Sequence, residues 1–409
     1  MRHDEPVILP GRRTADRRGP DILPAGGATP HGVGPAPESV EDAPLVSRRS
    51  VTLVVAGALL AVLILVAVVV PLPYAIERPG PTVNTLSEVD GKPLITVDGA
   101  PTYPTSGELR LTTVSVSGGP GYPVTAADVV AGWLSSDEVV LPREALFPAG
   151  STRQSVDEQA GAQMTSSQTN ATVAALEELG HKVPMVLTVQ EAAKGSGAQG
   201  ILLAGDVITS IQPAGGPRTD VQTFSDLAHV LAATAPGTTV AVGIRRDGQA
   251  RTVDVPTMAL PVDRSTADGA APHEGSILGV VLKPDVQLPI DVHFDIDKIG
   301  GPSAGTMFAL GIIDVLTPGE MTGGKDIAGT GTMNLAGEVG AIGGIQQKLV
   351  AARRDGAEWF LAPRANCGEV RGHVPDGLHV VSVATLAEAH KAVEEIGAGD
   401  GASLPTCAG

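Results

Sequence analysis

Val51 to Val70 is an unbroken run of 20 residues with no charge and a single polar side chain, Thr52. At a helical rise of about 1.5 Å per residue it spans roughly 30 Å, the thickness of the hydrocarbon core of a bilayer. Arg48 and Arg49 precede it, and Pro71 and Pro73 end it. Positive flanks stay on the cytoplasmic side, so a single-pass topology is expected, with the N-terminus inside and everything after residue 70 outside. The competing reading is a cleaved signal peptide, whose apolar region is usually about 7–15 residues and is followed by a small-x-small site. This run is longer and no A-x-A follows it, which favours an uncleaved anchor.

The remaining chain is long enough for two or three domains. Aromatic residues make up only 2% of the whole sequence, so the core must be built from Ala, Val, Leu and Ile. The net charge of −17 argues against a nucleic-acid partner, which needs a basic face to neutralise phosphate. Neither a C-x-x-C nor a Cys/His cluster occurs, so no metal site is expected. The two cysteines, Cys367 and Cys407, are either a disulfide or two independent thiols. Residues 1–50 are rich in Pro, Gly and Arg, lack hydrophobic periodicity, and read as a disordered cytoplasmic tail.

Residues 71–183 read as a mixed α/β segment without visible chemistry. Leu109–Val116 has the β-branched content of a strand. Asp157–Leu179 predicts a helix with Met164, Val173, Leu176 and Leu179 on its apolar face and Gly180 beyond its end. It is open whether this segment stands alone or completes a later fold around an inserted module.

Residues 184–258 predict a small β-rich module: a strand at Met185–Val189, a second through Ile211, a helix at Phe224–Ala233, and a hairpin turning at Asp247-Gly248. This order, with Leu202, Gly205, Asp206 and Ile208 in a Leu-x-x-Gly-Asp-x-Ile core, resembles a PDZ domain. The resemblance implies that an extended peptide adds to a sheet edge, here Met185, Val186 and Leu187. A spacer role for the same fold is the alternative. Residues 259–275 then read as a linker, 276–396 as alternating strands and helices, and 397–409 as a flexible Gly-rich tail.

Chemistry is concentrated in residues 276–396. Gly300-Gly-Pro-Ser-Ala-Gly305 lies between a strand-like stretch (Pro289–Ile296) and an apolar helix (Thr306–Val315). Glycines let backbone and substrate approach Ser303 closely, and N–H groups at a helix start can hold an oxyanion. A glycine-flanked serine can also simply cap a helix. A nucleophile needs a base, and the nine histidines are scattered; His293 alone is near, on an alternating strand. A lysine serves instead when burial lowers its pKa from about 10.4 to about 7–8. Lys348 is the candidate, on the first turn of a helix that follows Gly343 and Gly344; the positive end of the helix dipole there disfavours its charged form.

GGPSAG, followed 45 residues after Ser303 by the lysine of GEVGAIGGIQQK, resembles the proteolytic domain of Lon proteases. Ala328–Val339 matches that family's strand and turn before the lysine. The resemblance implies Ser303 as acyl-enzyme nucleophile and Lys348 as base and then acid, with Thr330 bonding the lysine and Gly301 and Ala304 supporting the loop. Family members often have an acidic residue where this chain has Gly300; Asp297 is the nearest substitute, so peptidase specificity does not carry over. The whole order resembles the bacterial membrane-anchored, PDZ-containing Lon-like proteases. It implies protein or peptide substrates, the bacterial cytoplasmic membrane as partner, and a homo-oligomeric ring. Gly319–Lys325 fits the start of a phosphate loop, but Asp326 stands where Ser or Thr must hold magnesium, so a turn is expected and no cofactor.

The expectation is therefore an α+β multidomain chain: one N-terminal transmembrane helix, a β-rich PDZ-like domain and a C-terminal α/β Lon-type proteolytic domain. Its function would be an ATP-independent serine endopeptidase outside the cytoplasm. Two rivals remain: a catalytically silent PDZ scaffold, and a Ser–Lys hydrolase acting on non-peptide substrates. A signal peptidase is a narrow form of the second, but such enzymes put the serine soon after the membrane segment, whereas Ser303 lies far beyond Val70.

Overall fold

The computed structural model describes residues 47–89, 91–260, 275–296 and 299–407. Of residues 1–50, expected as a disordered tail, 1–46 lie outside them, as do Asp297 and most of the expected linker, while Arg48–Ser50 are already helical. The first element, α1 (Arg48–Val69), covers the apolar run, has no buried residue, and is long and apolar enough to cross a membrane.

The chain continues through β1 (Pro71–Leu72), β2 (Tyr74–Asn84), a small hairpin of β3 (Glu88–Val89) and β4 (Lys92–Pro93), β5 (Ile95–Asp98), β6 (Glu108–Ser117) and β7 (Val124–Thr125). Then come α2 (Ala126–Leu134), β8 (Val139–Pro142), α3 (Arg143–Leu146) and α4 (Arg153–Glu178). The long helix α4 begins four residues earlier than its periodicity suggests. Thr152 and Ser155 form a reciprocal capping box there, satisfying N–H groups that a helix start leaves orphaned.

The PDZ-like module follows as β9 (Met185–Ala192), β10 (Val207–Pro213), β11 (Thr219–Asp220), α5 (Phe224–Ala232), β12 (Thr239–Arg246) and β13 (Gln249–Pro256). Asp247 and Gly248 both take positive φ, as the expected two-residue hairpin requires. Asp206 of the Gly-Asp motif is buried and held by Arg246 at 2.6 Å, which keeps its carboxyl below the usual range.

Next are β14 (Val280–Val286), β15 (Asp291–Phe294), α6 (Gly305–Leu316), β16 (Asp326–Gly329), β17 (Thr332–Met333), β18 (Val339–Gly340) and α7 (Ile345–Arg354). The last elements are β19 (Trp359–Pro363), α8 (Cys367–Val370), β20 (His379–Val383) and α9 (Leu386–Ala398).

Two six-stranded sheets organise these elements. One runs β20-β19-β16-β6-β2-β8, parallel from β20 to β6 and antiparallel beyond it. Its strands come from both sides of the PDZ-like module, so residues 71–183 complete the later fold and the module is inserted into it. Helix α6, apolar on all sides, is buried from Gly305 to Asp314 between this sheet, α4 and α9.

The other sheet runs β13-β12-β10-β9-β14, with β11 on β10. It corrects two expectations. The boundary at residue 276 does not separate the sheets, because β14 belongs to the PDZ-like one. Nor are Met185, Val186 and Leu187 an edge: β14 pairs with β9 along its whole length, and β10 lies on the other side. A strand that arrives from beyond the linker gives no local signal of this pairing.

The C-terminal tail is not loose within the described residues. Cys367 and Cys407 form a disulfide, the Ser382 N–H donates to the Pro405 carbonyl at 2.8 Å, and Thr406 bridges to Val381 on β20. Gly-rich composition suggested flexibility; a covalent tie and edge pairing override it.

Candidate active site

The loop that carries Ser303 is shaped from behind by α4. Gly301 takes φ 90°, a conformation that glycine tolerates, and its N–H donates to the Ala160 carbonyl at 3.1 Å. A Cβ on Gly300 would stand 2.6 Å from Ala160 Cβ, so this approach needs glycine. Ser167 Oγ donates to the Pro302 carbonyl at 3.0 Å. Ser303 follows, and Ala304 caps α6. Among the described residues, neither the Ser303 nor the Ala304 backbone N–H has a partner.

Lys348 enters from α7. Gly344, in the left-handed region, precedes the helix, and a Cβ there would collide with Val114 at 2.7 Å. The preceding turn is fixed by Asn366, which accepts from the Ile342 N–H at 3.0 Å and donates to the Ile342 carbonyl at 2.9 Å. Lys348, fourth in α7, is 2% exposed, and its Nζ lies 2.7 Å from Ser303 Oγ. It donates to Thr330 Oγ1 at 2.8 Å. The Thr330 hydroxyl in turn donates to the Ser303 carbonyl at 3.0 Å, so its proton is committed and its lone pair faces the lysine.

Burial lowers the Lys348 pKa to about 7, with the negative charge of Glu77 on β2 pulling the other way. Desolvation thus favours the neutral amine of this lysine. Glu77 is itself pushed upward by burial first and by Glu369 second.

These groups open into a cleft of about 700 Å³. Val114, Val116, Met164, Ile299 and Ile342 give it apolar walls. Pairing of β6 with β16 stops at Leu111, and from Val114 to Ser117 β6 pairs with β2 alone. One backbone edge of β6 therefore faces the cleft without a strand partner.

Ser303, Lys348, Thr330, Gly301 and Ala304 are thus brought together. The structure adds Ala160, Met164 and Ser167 from α4, Glu77 from β2, and Asn366. Their contacts span long stretches of chain, and no local pattern in the sequence marks them. His293 is exposed on β15, 3.4 Å from Asp98. Gly319–Lys325 is the turn between α6 and β16, and Asp326 is bound by Arg110 through two contacts of 2.9 and 3.0 Å.

The sequence matches the Lon protease (S16) C-terminal proteolytic domain over residues 268–394 and a PDZ domain over residues 161–257. The chain carries a Lon-type proteolytic domain and a PDZ domain. The Lon protease of Azospirillum brasilense is 34% identical over 124 residues, which are 28% of this chain and 15% of that protein. That of Brucella suis is 39% identical over 94 residues, 22% of this chain and 11% of that one. That of Nitratidesulfovibrio vulgaris is 36% identical over 109 residues, 25% of this chain and 13% of that one. The matched stretch therefore spans a small part of these relatives. A PDZ domain of an SdrC-like protein from Listeria monocytogenes is 18% identical, covers 24% of this chain and 85% of that one, and has a TM-score of 0.18. In this chain the Lon-type domain draws half of its central sheet from residues before the PDZ domain.

Proposed function

We propose that this chain is a membrane-anchored serine endopeptidase that cleaves protein substrates without ATP, with Ser303 as nucleophile and Lys348 as general base. The observation that carries it is the 2.7 Å approach of a buried Lys348 Nζ to Ser303 Oγ, with the lysine pKa near 7. Neutral Lys348 accepts the Ser303 hydroxyl proton as Oγ attacks the scissile carbonyl carbon. The oxyanion is stabilised by the unpartnered Ser303 and Ala304 N–H groups. The Lys348 ammonium then protonates the leaving amine, and the acyl-enzyme remains. Water attacks it, Lys348 takes the water proton, and the proton returns to Oγ as the acid leaves. Thr330 keeps Nζ aimed throughout.

A substrate lies extended against the free edge of β6, where backbone hydrogen bonds position it without regard to sequence. The apolar cleft walls favour uncharged side chains at the scissile bond. The PDZ domain selects substrates by peptide addition to the outer edge of β14, since β9 is covered. The catalytic body stands outside the cytoplasm behind α1, and ring assembly belongs to the same reading by resemblance. ATP independence is supported by Asp326, whose carboxylate is held by Arg110 where a phosphate loop would need a hydroxyl.

The test uses the full chain in vesicles with unfolded casein, beside Ser303→Ala and Lys348→Ala, with and without ATP. Cleavage that needs no ATP and is lost in both variants is expected. Cleavage that survives Ser303→Ala would overturn the mechanism, and cleavage only of small esters would convert the reading to a non-peptidase hydrolase.

A further inference from the structure

Helix α2 has an unusual outer face. Its inner side is ordinary: Val129 is buried with Ile76 and Val124, and Gly132 packs so closely on Val140 that a Cβ would come within 2.8 Å. Its one ionisable residue, Asp128, is engaged with Thr125 in the N-terminal capping box. Everything pointing outward is apolar. Ala127, Val130, Ala131 and Leu134 form an exposed stripe at i, i+3, i+4 and i+7, with Val130 50% and Leu134 84% exposed. Trp133 beside it is 65% exposed.

Aromatic residues are rare in this chain, which makes their placement informative. Of two Trp and three Tyr in the whole sequence, Trp133, Tyr74 and Tyr122 gather here. Tyr74 meets Trp133 edge-on at 6.4 Å, and Tyr122 lies in the loop leading to α2, with Arg153 over its ring at 5.0 Å. Exposed Trp and Tyr with an apolar helix face are the chemistry of the membrane–water interface, where an amphipathic ring keeps one end dry and the other wet. A chain of net charge −17 has acidic residues to spare, yet none stands in this stripe.

Chain continuity says what lies nearby. Helix α1 ends at Val69, and Pro71 and Leu72 pair antiparallel with Thr125 and Val124. Paired residues across such a ladder are about 5 Å apart. Thr125 is the N-cap of α2 and pairs with Pro71, so α2 starts beside the first residue after the apolar span. If that span ends at the hydrocarbon boundary, α2 begins at headgroup level.

We propose that the outer face of α2, with Tyr122 and Trp133, docks into the interface of the bilayer that α1 spans, giving the protease body a second, non-covalent attachment to the membrane. The proposal rests on α1 being a span. Lateral docking on the lipid surface would fix the body's orientation, which a single flexible tether does not.

The experiment uses the full chain carrying Trp359→Phe, which leaves Trp133 as its only tryptophan. It is reconstituted in phosphatidylcholine vesicles with and without lipid brominated high on the acyl chains, and its flotation with vesicles is recorded in parallel. Flotation, blue-shifted emission, loss of more than half the emission to brominated lipid, and resistance to aqueous iodide are expected. The complementary Trp133→Phe chain, which keeps the native Trp359, should show no brominated-lipid quenching beyond background. It tests the proposal even if Trp359→Phe impairs folding. Flotation with Trp133 open to iodide and insensitive to bromine would overturn the docking while leaving the anchor intact. Flotation with Trp133 shielded from both quenchers would overturn it in favour of a second copy covering the face. Failure to float would overturn the anchor and the docking together.

Discussion

Thr330 Oγ1 accepts a hydrogen bond from Lys348 Nζ at 2.8 Å while giving its own proton to the Ser303 carbonyl at 3.0 Å. One hydroxyl thereby ties Lys348 to the backbone of Ser303. Thr330→Val keeps the shape and removes both bonds. A buried bond involving a charged group is worth about 1.5–3 kcal/mol, which is roughly 10- to 100-fold in rate. The expected outcome is a fall of that size in kcat with KM little changed, and substantial recovery in Thr330→Ser. Steady-state peptide hydrolysis checks it; a loss confined to KM would mean that Thr330 acts on substrate binding.

The pH dependence follows from the sign of the Lys348 shift. In the proposed mechanism the neutral amine is the active form, and burial lowers its pKa to about 7, so kcat/KM should rise through pH about 7 and level above it. Removing the opposing charge with Glu77→Gln should move that limb to lower pH. Stability carries the same signature. Between the folded pKa of about 7 and the ordinary value of 10.5, the unfolded chain binds the proton that the folded one lacks. Stability from this group therefore rises with pH across that window, by about 1.4 kcal/mol per unit, and is lowest below it. Lys348→Met should be more stable than the parent at pH 6, with the gap closing toward pH 10 in denaturant titrations. A gap that does not change with pH would mean that the lysine stays charged.

Ser303 and Lys348 were legible because glycines flank the serine, a double glycine precedes the helix of the lysine, and the pair resembles that of Lon-type domains. The helix around α6 and the hairpin at Asp247-Gly248 were legible because each is written in adjacent residues. The rest depended on contacts across long stretches of chain. Ala160 and Ser167 on α4 grip the Ser303 loop although strands β9–β13 separate the two in sequence. Strand β14 closes over β9 after the linker, which turned an expected edge into an interior strand. The exposed face of α2 carries no sequence signal, since nothing in a sequence says which face a neighbour leaves uncovered.

The disulfide supports the site through a short path. Cys367 follows Asn366, which holds the turn at Ile342 in the cleft wall, and Cys407 anchors the strand segment on β20. The bond closes a loop with a sequence separation of 40. Loop-closure entropy puts its contribution at about 4 kcal/mol. Cys407→Ser should lower the unfolding midpoint accordingly and accelerate hydrogen exchange at residues 401–407. It should lower kcat less than Thr330→Val does, because Asn366 keeps its own bonds. Unchanged exchange in that segment would show that edge pairing alone holds it.

Asp314 tests the opposite sign in the core. It lies near the end of α6, is 1% exposed, and neither carboxylate oxygen completes a hydrogen bond among the described residues. Burial raises its pKa from 3.8 to about 6, with the nearby Met321 backbone pulling the other way. Between those values the folded chain holds the proton and the unfolded chain has lost it. Stability from this group is therefore greatest below pH 4 and falls as pH rises through 6. At pH 7.5 the carboxylate is charged inside an apolar helix, at a cost of about 2–3 kcal/mol. Asp314→Asn has nearly the same shape and no charge. It should stabilise the protein at pH 7.5 by about that amount, with the advantage gone at pH 4. Parallel unfolding titrations of parent and variant at the two pH values check this. Equal stability at pH 7.5 would mean that the carboxylate finds solvation that its buried position does not suggest, and a deficit at both would mean that the side-chain amide cannot be accommodated there.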